Sequence, residues 1–171
     1  AKLAEFYATP EDADKPGGYG GVIHEMLEAR DVRMGQLGMS NQVSHHIPYI
    51  SAANGDPATT QAAVREITQR LFVGSDIGQG YPGDEDNGET SAWFLFSALG
   101  FYPLAMGTSD YTIGSPLFDR ATIHLPGGDF TVTAEGNSVD AVHVQSATLN
   151  GRAIDSVAPA HDDVAAGGEL T

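Results

Sequence analysis

Cysteine is absent from this sequence, and basic residues are few. With no cysteine among 171 residues, disulfides, thiolate nucleophiles and Cys-bound zinc are all excluded. Only 8 Lys and Arg residues accompany 23 Asp and Glu, so the formal net charge is -15. Because no basic cluster could follow a phosphate backbone, we expect neither nucleic acid nor an anionic membrane as a partner. Neutral polyhydroxylated substrates and divalent cations remain compatible with such an acidic chain.

Long apolar runs are also missing. No run of 18 apolar residues occurs, so no membrane-spanning helix is expected. The first ten residues, AKLAEFYATP, have neither the basic start nor the apolar core of a signal peptide. Apolar residues still make up 41% of the chain, enough for a globular core. The last residues, VAAGGELT, stop where another strand would begin, and both ends look cut, so we expect a piece of a longer polypeptide.

The first hundred residues have helical patterns joined by glycine-rich loops. A helix is predicted within 22–34, and another within 42–53, broken near Pro48. Asp56 and Pro57 are typical of the N-cap and first turn of a third helix. That helix would bury Val64, Ile67 and Leu71 and turn outward Arg65, Glu66, Gln69 and Arg70. A last helix, Glu89–Leu99, is apolar on nearly every side, which predicts burial in a larger helical assembly.

After Gly100 the apolar pattern changes to a period of two, which predicts strands. The Asn150–Gly151 pair is the one that a two-residue hairpin turn prefers. We therefore predict an α+β fragment whose C-terminal part is an antiparallel, sandwich-like β region. The predicted strands are 111–113, 122–125, 130–133, 142–144, 146–149 and 152–154, with a possible start at Glu169.

The most informative stretch is GQGYPGDEDNGETSAW, residues 78–93. It places Asp84, Glu85 and Asp86 directly before the apolar helix. Charge runs are usually solvent-facing turns, but a glycine-rich approach and a buried helix behind the acids favour carboxylates held at the mouth of a pocket. Helix amides and the helix dipole would keep at least one of them ionised.

Three blocks of this sequence resemble a known family. GYPGDEDNGETSAWFLFSALGFYPLAMGTSDYTIGSPLF strongly resembles the signature region of the calcium-dependent exo-α-mannosidases of glycoside hydrolase family 92. GGVIHEMLEA and SNQVSHHIPYI are similar to two further blocks of that family and occur in the same order. The resemblance extends from about Gly18 to Asn150 and covers most of the chain.

The resemblance implies a large bacterial enzyme, secreted or at the cell surface, with an N-terminal β-sandwich and a catalytic (α/α)₆ barrel. Residues 1–100 would be the last helices of that barrel, and residues 101–171 a C-terminal β region. The remainder of the polypeptide would be the partner of this chain, since it carries the other barrel helices and the general acid, a glutamate. The expected cofactor is Ca²⁺, and the expected substrate is a mannose-terminated glycan such as an N-glycan or yeast mannan.

The family hydrolyses α-mannosides with inversion, which requires an acid and a base about 6.5–9.5 Å apart. The resemblance assigns the base to the acidic run, and we predict Asp86 as the base with Asp84 orienting or sharing the water. Residues i and i+2 of an extended loop point to the same side, so both could address one water. Glu85 would point away, toward the helix start.

Further site residues follow from the other two blocks. His24 and Glu25 match a pair that lines the leaving-sugar subsite of α-1,2-mannosidases, which favours that linkage; a surface pair is the alternative. A zinc HExxH site is excluded because Glu28 occupies the place of the second histidine. The predicted substrate contacts are His24, Glu25, Asn41, Gln42, His45 and His46, and the predicted calcium ligands are Glu28 and Gln42.

Two other functions stay open. In one common family form the position of Gln42 is Glu, and the loss of that charge could ease the approach of a mannosyl phosphodiester; a functionally neutral variant is the favoured alternative. Alternatively, the acids ligate calcium in a surface turn of a non-catalytic carbohydrate-binding module. The buried helix behind the acids favours the enzyme.

Overall fold

The computed structural model describes residues 2–11, 21–74, 80–155 and 157–171. Five helices precede the strands, and a sixth lies among them. The helices are α1 (Lys2–Ala8), α2 (His24–Val32), α3 (Ile50–Ala53), α4 (Pro57–Leu71), α5 (Glu89–Leu99) and α6 (His161–Ala165). The strands are β1 (Phe101–Tyr102), β2 (Asp110–Ile113), β3 (Arg120–Leu125), β4 (Gly128–Thr133), β5 (Ala147–Leu149), β6 (Arg152–Ile154), β7 (Val157–Ala160) and β8 (Gly168–Leu170).

The strands form two mostly antiparallel sheets. One has the order β1-β2-β7, and the other the order β3-β4-β8-β5-β6. The only parallel pair described is β4 with β8. Asn150 and Gly151 both adopt positive φ, 50° and 76°, in the turn between β5 and β6, as a two-residue hairpin of the predicted kind requires. The predicted α+β architecture is confirmed.

The core has two parts, one under the helices and one under the sheets. The helical cluster comprises Val32, Met34, Leu37, Met39, Tyr49, Val64, Ile67 and Trp93. The sheet cluster comprises Phe101, Phe130, Val132, Val164 and Leu170. Tyr49 links the two regions, because its ring stacks on Tyr102 at 4.6 Å between centroids and its hydroxyl donates to Ser97.

Helices α4 and α5 begin where the sequence predicts. The Asp56 carboxylate accepts the Thr59 N–H at 3.2 Å, and Pro57 fills the first helical position. Helix α5 ends at Gly100, whose φ of 95° needs a residue without Cβ. Only one side of α5 is buried within this chain, since Trp93 is 1% exposed and Leu95 is 59% exposed.

One predicted helix is shorter than its bounds, and one predicted strand is not formed. The helix predicted within 42–53 is interrupted near Pro48, as expected, and consists of two 3₁₀ turns and the short α3, because Pro48 lacks an amide donor and disfavours helical geometry in the residue before it. The segment 142–144 is not a strand. Side chains bind its backbone instead: the Ser115 hydroxyl donates to the Val142 carbonyl, and the Val144 N–H donates to Gln61.

The prediction that Arg65 faces outward is also wrong. Its side chain is 2% exposed and joins α4 to the segments after β2 and β4. The guanidinium donates to Asn137 Oδ1 at 2.7 Å, the Ser138 carbonyl at 2.6 Å and the Pro116 carbonyl. A planar guanidinium can serve several acceptors at once, which explains how a cation is tolerated here without a carboxylate.

Removing this guanidinium should destabilise the protein. We expect Arg65→Met in the full-length protein to lower the free energy of unfolding by about 2–4 kcal/mol, because buried carbonyl acceptors lose their donors. Arg65→Lys should lose less of the free energy of unfolding than Arg65→Met but should not reach that of the unaltered protein, since an ammonium cannot reach all the acceptors. Chemical denaturation checks this, with Arg70→Met as the control: Arg70 forms only an exposed i,i+4 pair with Glu66. Equal losses for both methionine variants would contradict the prediction.

Candidate active site

The acidic run lies in a tight loop that leads into α5. Four residues of this loop have positive φ: Gly83 at 67°, Asp86 at 51°, Asn87 at 59° and Gly88 at 99°. The loop is therefore not extended through Asp86, and the predicted geometry is wrong there. The expectation that Glu85 turns toward the start of the helix is nevertheless confirmed. Asp84 and Asp86 are exposed, whereas Glu85 is turned toward the helix.

Glu85 caps the start of α5. The N-cap residue is Gly88, which has no side chain to bind the free amides of the first turn. The Glu85 carboxylate takes this place by accepting the Gly88 N–H and, at 3.1 Å, the Ser91 N–H. Hydrogen bonds from the Ser91 side chain and from these two amides hold the pKa of Glu85 below its usual value.

Thr90 fixes the backbone of the acidic run. This residue is 3% exposed. Its hydroxyl donates to the Asp84 carbonyl at 2.9 Å, and its N–H donates to the Glu85 carbonyl at 3.2 Å. The Glu89 N–H donates to the Asp86 carbonyl at 3.3 Å. The backbone of all three acids is thus tied to the first turn of α5, while no side-chain hydrogen bond is described for the carboxylates of Asp84 and Asp86.

His45 lies beside this loop and is 2% exposed. Its carbonyl accepts the Trp93 Nε1–H at 2.9 Å, and its Nδ1 lies 4.0 Å from Glu89 Oε1. Burial lowers the pKa of His45, while the Met39 carbonyl and the charge of Asp86 oppose that shift. The Met39 carbonyl is near the ring but outside hydrogen-bond geometry, and neither ring nitrogen has a hydrogen-bond partner of good geometry among the described residues. A buried neutral imidazole can donate from one nitrogen and accept at the other, so this ring can bind a polar ligand.

A close backbone contact joins the block around His45 to the acidic loop. A Cβ on Gly83 would lie 2.1 Å from the Ser40 carbonyl oxygen, so only glycine fits. Asn41 and Gln42 follow directly and are half-buried, whereas His46 is exposed. The Ser40–Gly83 and His45–Glu89 contacts therefore bring the sequence blocks 40–46 and 83–90 together. Of the predicted substrate contacts in the first block, His45 touches the second, and no described contact joins Asn41, Gln42 or His46 to it.

The remaining predicted site residues lie on α2. His24 and Glu25 begin this helix, but their side chains are outside the described part of the structure. Glu28 lies one turn further and is half-buried. None of these three is placed against the acidic loop by a described contact, and their assignment stays a prediction.

Oxygen ligands of the kind that Ca²⁺ prefers are present, but the described residues do not complete a site. Calcium takes 6–8 oxygens. No three His, Asp or Glu side chains in the described ranges lie together in a way that could hold a metal. Asn41 Oδ1 already accepts the Val43 N–H at 3.3 Å. Glu28 and Gln42 could supply at most part of a calcium site, and the other ligands would have to come from elsewhere.

Three residues next to the acids were not predicted as part of the site. Thr90 and Glu89 lie in the first turn of α5. Trp93 lies one turn further, in the core, and its Nε1–H donates to the His45 carbonyl. A polar Thr at the start of an apolar helix was the available signal for Thr90. The position of Glu89 near His45 depends on a contact 44 residues apart in sequence, which no local pattern indicates.

A cavity of about 560 Å³ lies elsewhere in the structure. Its lining includes Leu99, Val132, Val142 and Leu170, at the C-terminal end of α5. Helix α5 has 11 residues and is thus about 16 Å long, given a rise of about 1.5 Å per residue. This cavity is therefore separate from the acidic loop.

Comparison with known families identifies the family of this chain. The model of the glycosyl hydrolase family 92 catalytic domain matches residues 1–171. The chain belongs to glycoside hydrolase family 92. The resemblance predicted from the DEDNG signature is confirmed, and the acidic loop, His45 block and α5 are parts of a family 92 catalytic domain.

Solved family 92 enzymes share this structure. An inverting mannosidase from Bacteroides thetaiotaomicron is 41% identical, with a TM-score of 0.75; the match covers 99% of this chain and 23% of that one. A second family 92 α-mannosidase from the same organism, in complex with mannoimidazole, is 28% identical with a TM-score of 0.83, over 99% of this chain and 21% of that chain. The chain thus spans about a fifth of the length of these enzymes.

A curated relative adds a third comparison. An uncharacterized secreted glycosidase of Arthroderma benhamiae is 28% identical over 120 residues, which is 68% of this chain and 15% of that protein. Among the described residues, no helix is both long and apolar enough to cross a membrane.

Proposed function

We propose that the full-length protein containing this chain is an inverting exo-α-mannosidase that releases terminal α-linked mannose, with α-1,2 linkages favoured. The observation that carries this proposal is the pair of exposed carboxylates, Asp84 and Asp86, held on one rigid loop beside the buried His45 ring. The 41% identity to an inverting mannosidase supports the same chemistry. As the name of the Arthroderma relative suggests, the protein is secreted or at the cell surface.

Asp86 acts as the general base in this proposal. It takes a proton from the water that attacks the anomeric carbon, and Asp84 orients that water. Glu85 is excluded as the base, since both its oxygens accept helix amides. The general acid is a glutamate outside this chain, placed so that a water fits between acid and base, about 6.5–9.5 Å across the bond. This chain then contributes one half of the catalytic pair.

The residues around the acids bind the sugar. Buried polar groups without partners favour a ligand rich in hydroxyls, because each hydroxyl can both donate and accept. The nitrogens of His45 and the Ser40 hydroxyl meet this description. His24 and Glu25 line the leaving-sugar side, Asn41, Gln42 and His46 contact hydroxyls, and Glu28 and Gln42 belong to the calcium shell. Residues 1–100 complete the barrel with the rest of the polypeptide, and residues 101–171 form its C-terminal β region.

A mannosyl phosphodiester is the second candidate substrate. Gln42 is neutral where one common family form has Glu, which lowers the negative charge that an anionic substrate meets. The net charge of -15 would repel such an anionic substrate from the rest of the surface. The binding-module alternative is less well supported, because α5 packs Trp93 into the core directly behind the acids.

Hydrolysis by the purified full-length protein tests this proposal. We expect it to cleave α-1,2-mannobiose faster than the α-1,3 and α-1,6 isomers, and to release β-mannose first, as proton NMR would show within the first minutes. An Asp84→Asn/Asp86→Asn double variant serves as the blank. Release of α-mannose as the first product would contradict inversion. Faster cleavage of a mannosyl phosphate diester than of every mannobioside would favour the second candidate.

A further inference from the structure

The left-handed segment after Glu85 is an unusual backbone feature of the acidic loop. Asp86, Asn87 and Gly88 have positive φ in succession, at 51°, 59° and 99°. Residues with a Cβ enter this region rarely and usually singly. Two such residues next to each other persist only where neighbouring groups hold them.

The Glu85 carboxylate contributes to that hold, together with the Glu89 N–H, which donates to the Asp86 carbonyl at 3.3 Å. The Glu85 oxygens accept the Gly88 N–H, at the end of the left-handed segment, and the Ser91 N–H one turn into α5. The side chain therefore closes a ring around Asp86 and Asn87. Within the described residues, Thr90 donates hydrogen bonds to the carbonyls of Asp84 and Glu85. The Gly88 N–H is bound by the Glu85 carboxylate and not by Thr90.

The loop held in this way lies beside the buried ring of His45. That ring is 2% exposed, has no hydrogen-bond partner at either nitrogen among the described residues, and lies 4.0 Å from Glu89 in the first turn of α5. The direction of the Asp86 carboxylate depends on the backbone conformation of Asp86, and the bonds of Glu85 and Glu89 lie on either side of that residue.

We propose that Glu85 is a positioning residue, which holds Asp86 in the left-handed conformation and so directs the Asp86 carboxylate toward the attacking water. This inference rests on the proposed role of Asp86 as general base. Glu85 itself contacts neither water nor sugar. Replacing it should impair the chemical step more than substrate binding, because a misplacement of about 1 Å can cost 10²-fold in rate.

A double-mutant cycle in the full-length enzyme tests the proposal. We expect Glu85→Ala to lower kcat by about 10–100-fold and to change KM by less than about threefold, since it removes an arrangement needed only for the chemical step. Glu85→Gln keeps an amide oxygen as acceptor and should retain more of kcat than Glu85→Ala. Glu66→Gln, an exposed glutamate on α4, is the matched control.

The decisive comparison is made in the Asp86→Asn background. If Glu85 acts through Asp86, Glu85→Ala should lower the residual rate there by less than about threefold, since the two losses are not additive for residues that act as a unit. Equal losses in both backgrounds, or an unchanged kcat for Glu85→Ala in the otherwise unaltered enzyme, would overturn the proposal. If Glu85→Ala does not fold, Glu85→Gln is carried through the same cycle with the same two criteria. An Asp86→Asn enzyme with normal turnover would instead refute the base assignment.

Discussion

Replacing Asp86 by Asn should lower turnover of unactivated mannosides by about 10²–10⁴-fold, the usual contribution of a general base. The substitution removes the proton acceptor but preserves shape. It also suits the backbone, because Asp86 has a φ of 51° and Asn tolerates the left-handed region better than most residues. The loss of turnover should therefore come from the missing proton acceptor and not from misfolding, and the melting temperature should stay near that of the unaltered protein.

The leaving group distinguishes a base from an acid. Because Asp86 acts on water, an aryl mannoside with a good leaving group should not rescue Asp86→Asn. Asp84→Asn should also lose activity, but less, if Asp84 only orients the water. Asp129→Asn, an exposed aspartate paired with His124 on the β3–β4 hairpin, serves as the control. Near-normal turnover of Asp86→Asn with an inactive Asp84→Asn would reverse the two roles, and activity in both would refute the mechanism.

Removing calcium should abolish hydrolysis by the full-length enzyme, and added Ca²⁺ should restore it. A bound cation would interact with the 2- and 3-hydroxyls of mannose and favour ring distortion toward the transition state. Magnesium should restore little, since it demands octahedral geometry and dehydrates reluctantly. The measurement is the initial rate after chelation, with metal content verified by elemental analysis. Full activity in the verified metal-free enzyme would contradict the calcium assignment.

The two predicted ligands can be tested in the same assay. Glu28→Gln and Gln42→Ala should each raise the Ca²⁺ concentration that restores half of the activity, because each removes an oxygen ligand or its charge. Glu66→Gln, again an exposed glutamate, should leave that concentration unchanged. An unchanged calcium requirement in both ligand variants would place the ion elsewhere in the protein.

Local signals in the sequence were sufficient for the long elements. Asp56 with Pro57 marks the start of α4, and the apolar run ending at Gly100 marks α5, so both helices were predicted close to their observed bounds. The same local signals failed for Arg65. A charged residue beside Val64 resembles any solvent-facing helix position, and its acceptors at 116, 137 and 138 become neighbours only when the sheets pack on α4.

The acidic loop was predicted in part for the same reason. The sequence predicted that Glu85 turns toward the helix start, because it directly precedes the apolar helix with one acid on either side. The left-handed φ of Asp86 could not be predicted, since it depends on how Glu85 reaches the amides of Gly88 and Ser91. The proximity of His45 likewise depends on the Trp93–His45 bond and on the close approach of Gly83 to Ser40.

Helix α5 has a mechanical consequence for heat inactivation. Its first turn donates hydrogen bonds to all three acids of the loop, and its last residue leads through Gly100 into β1 and the sheet cluster. Because a helix of three turns is stiff, loosening of the sheet at the C-terminal end of α5 should displace the acidic loop at its N-terminal end. Activity and sheet structure should then be lost together on heating, in one cooperative step.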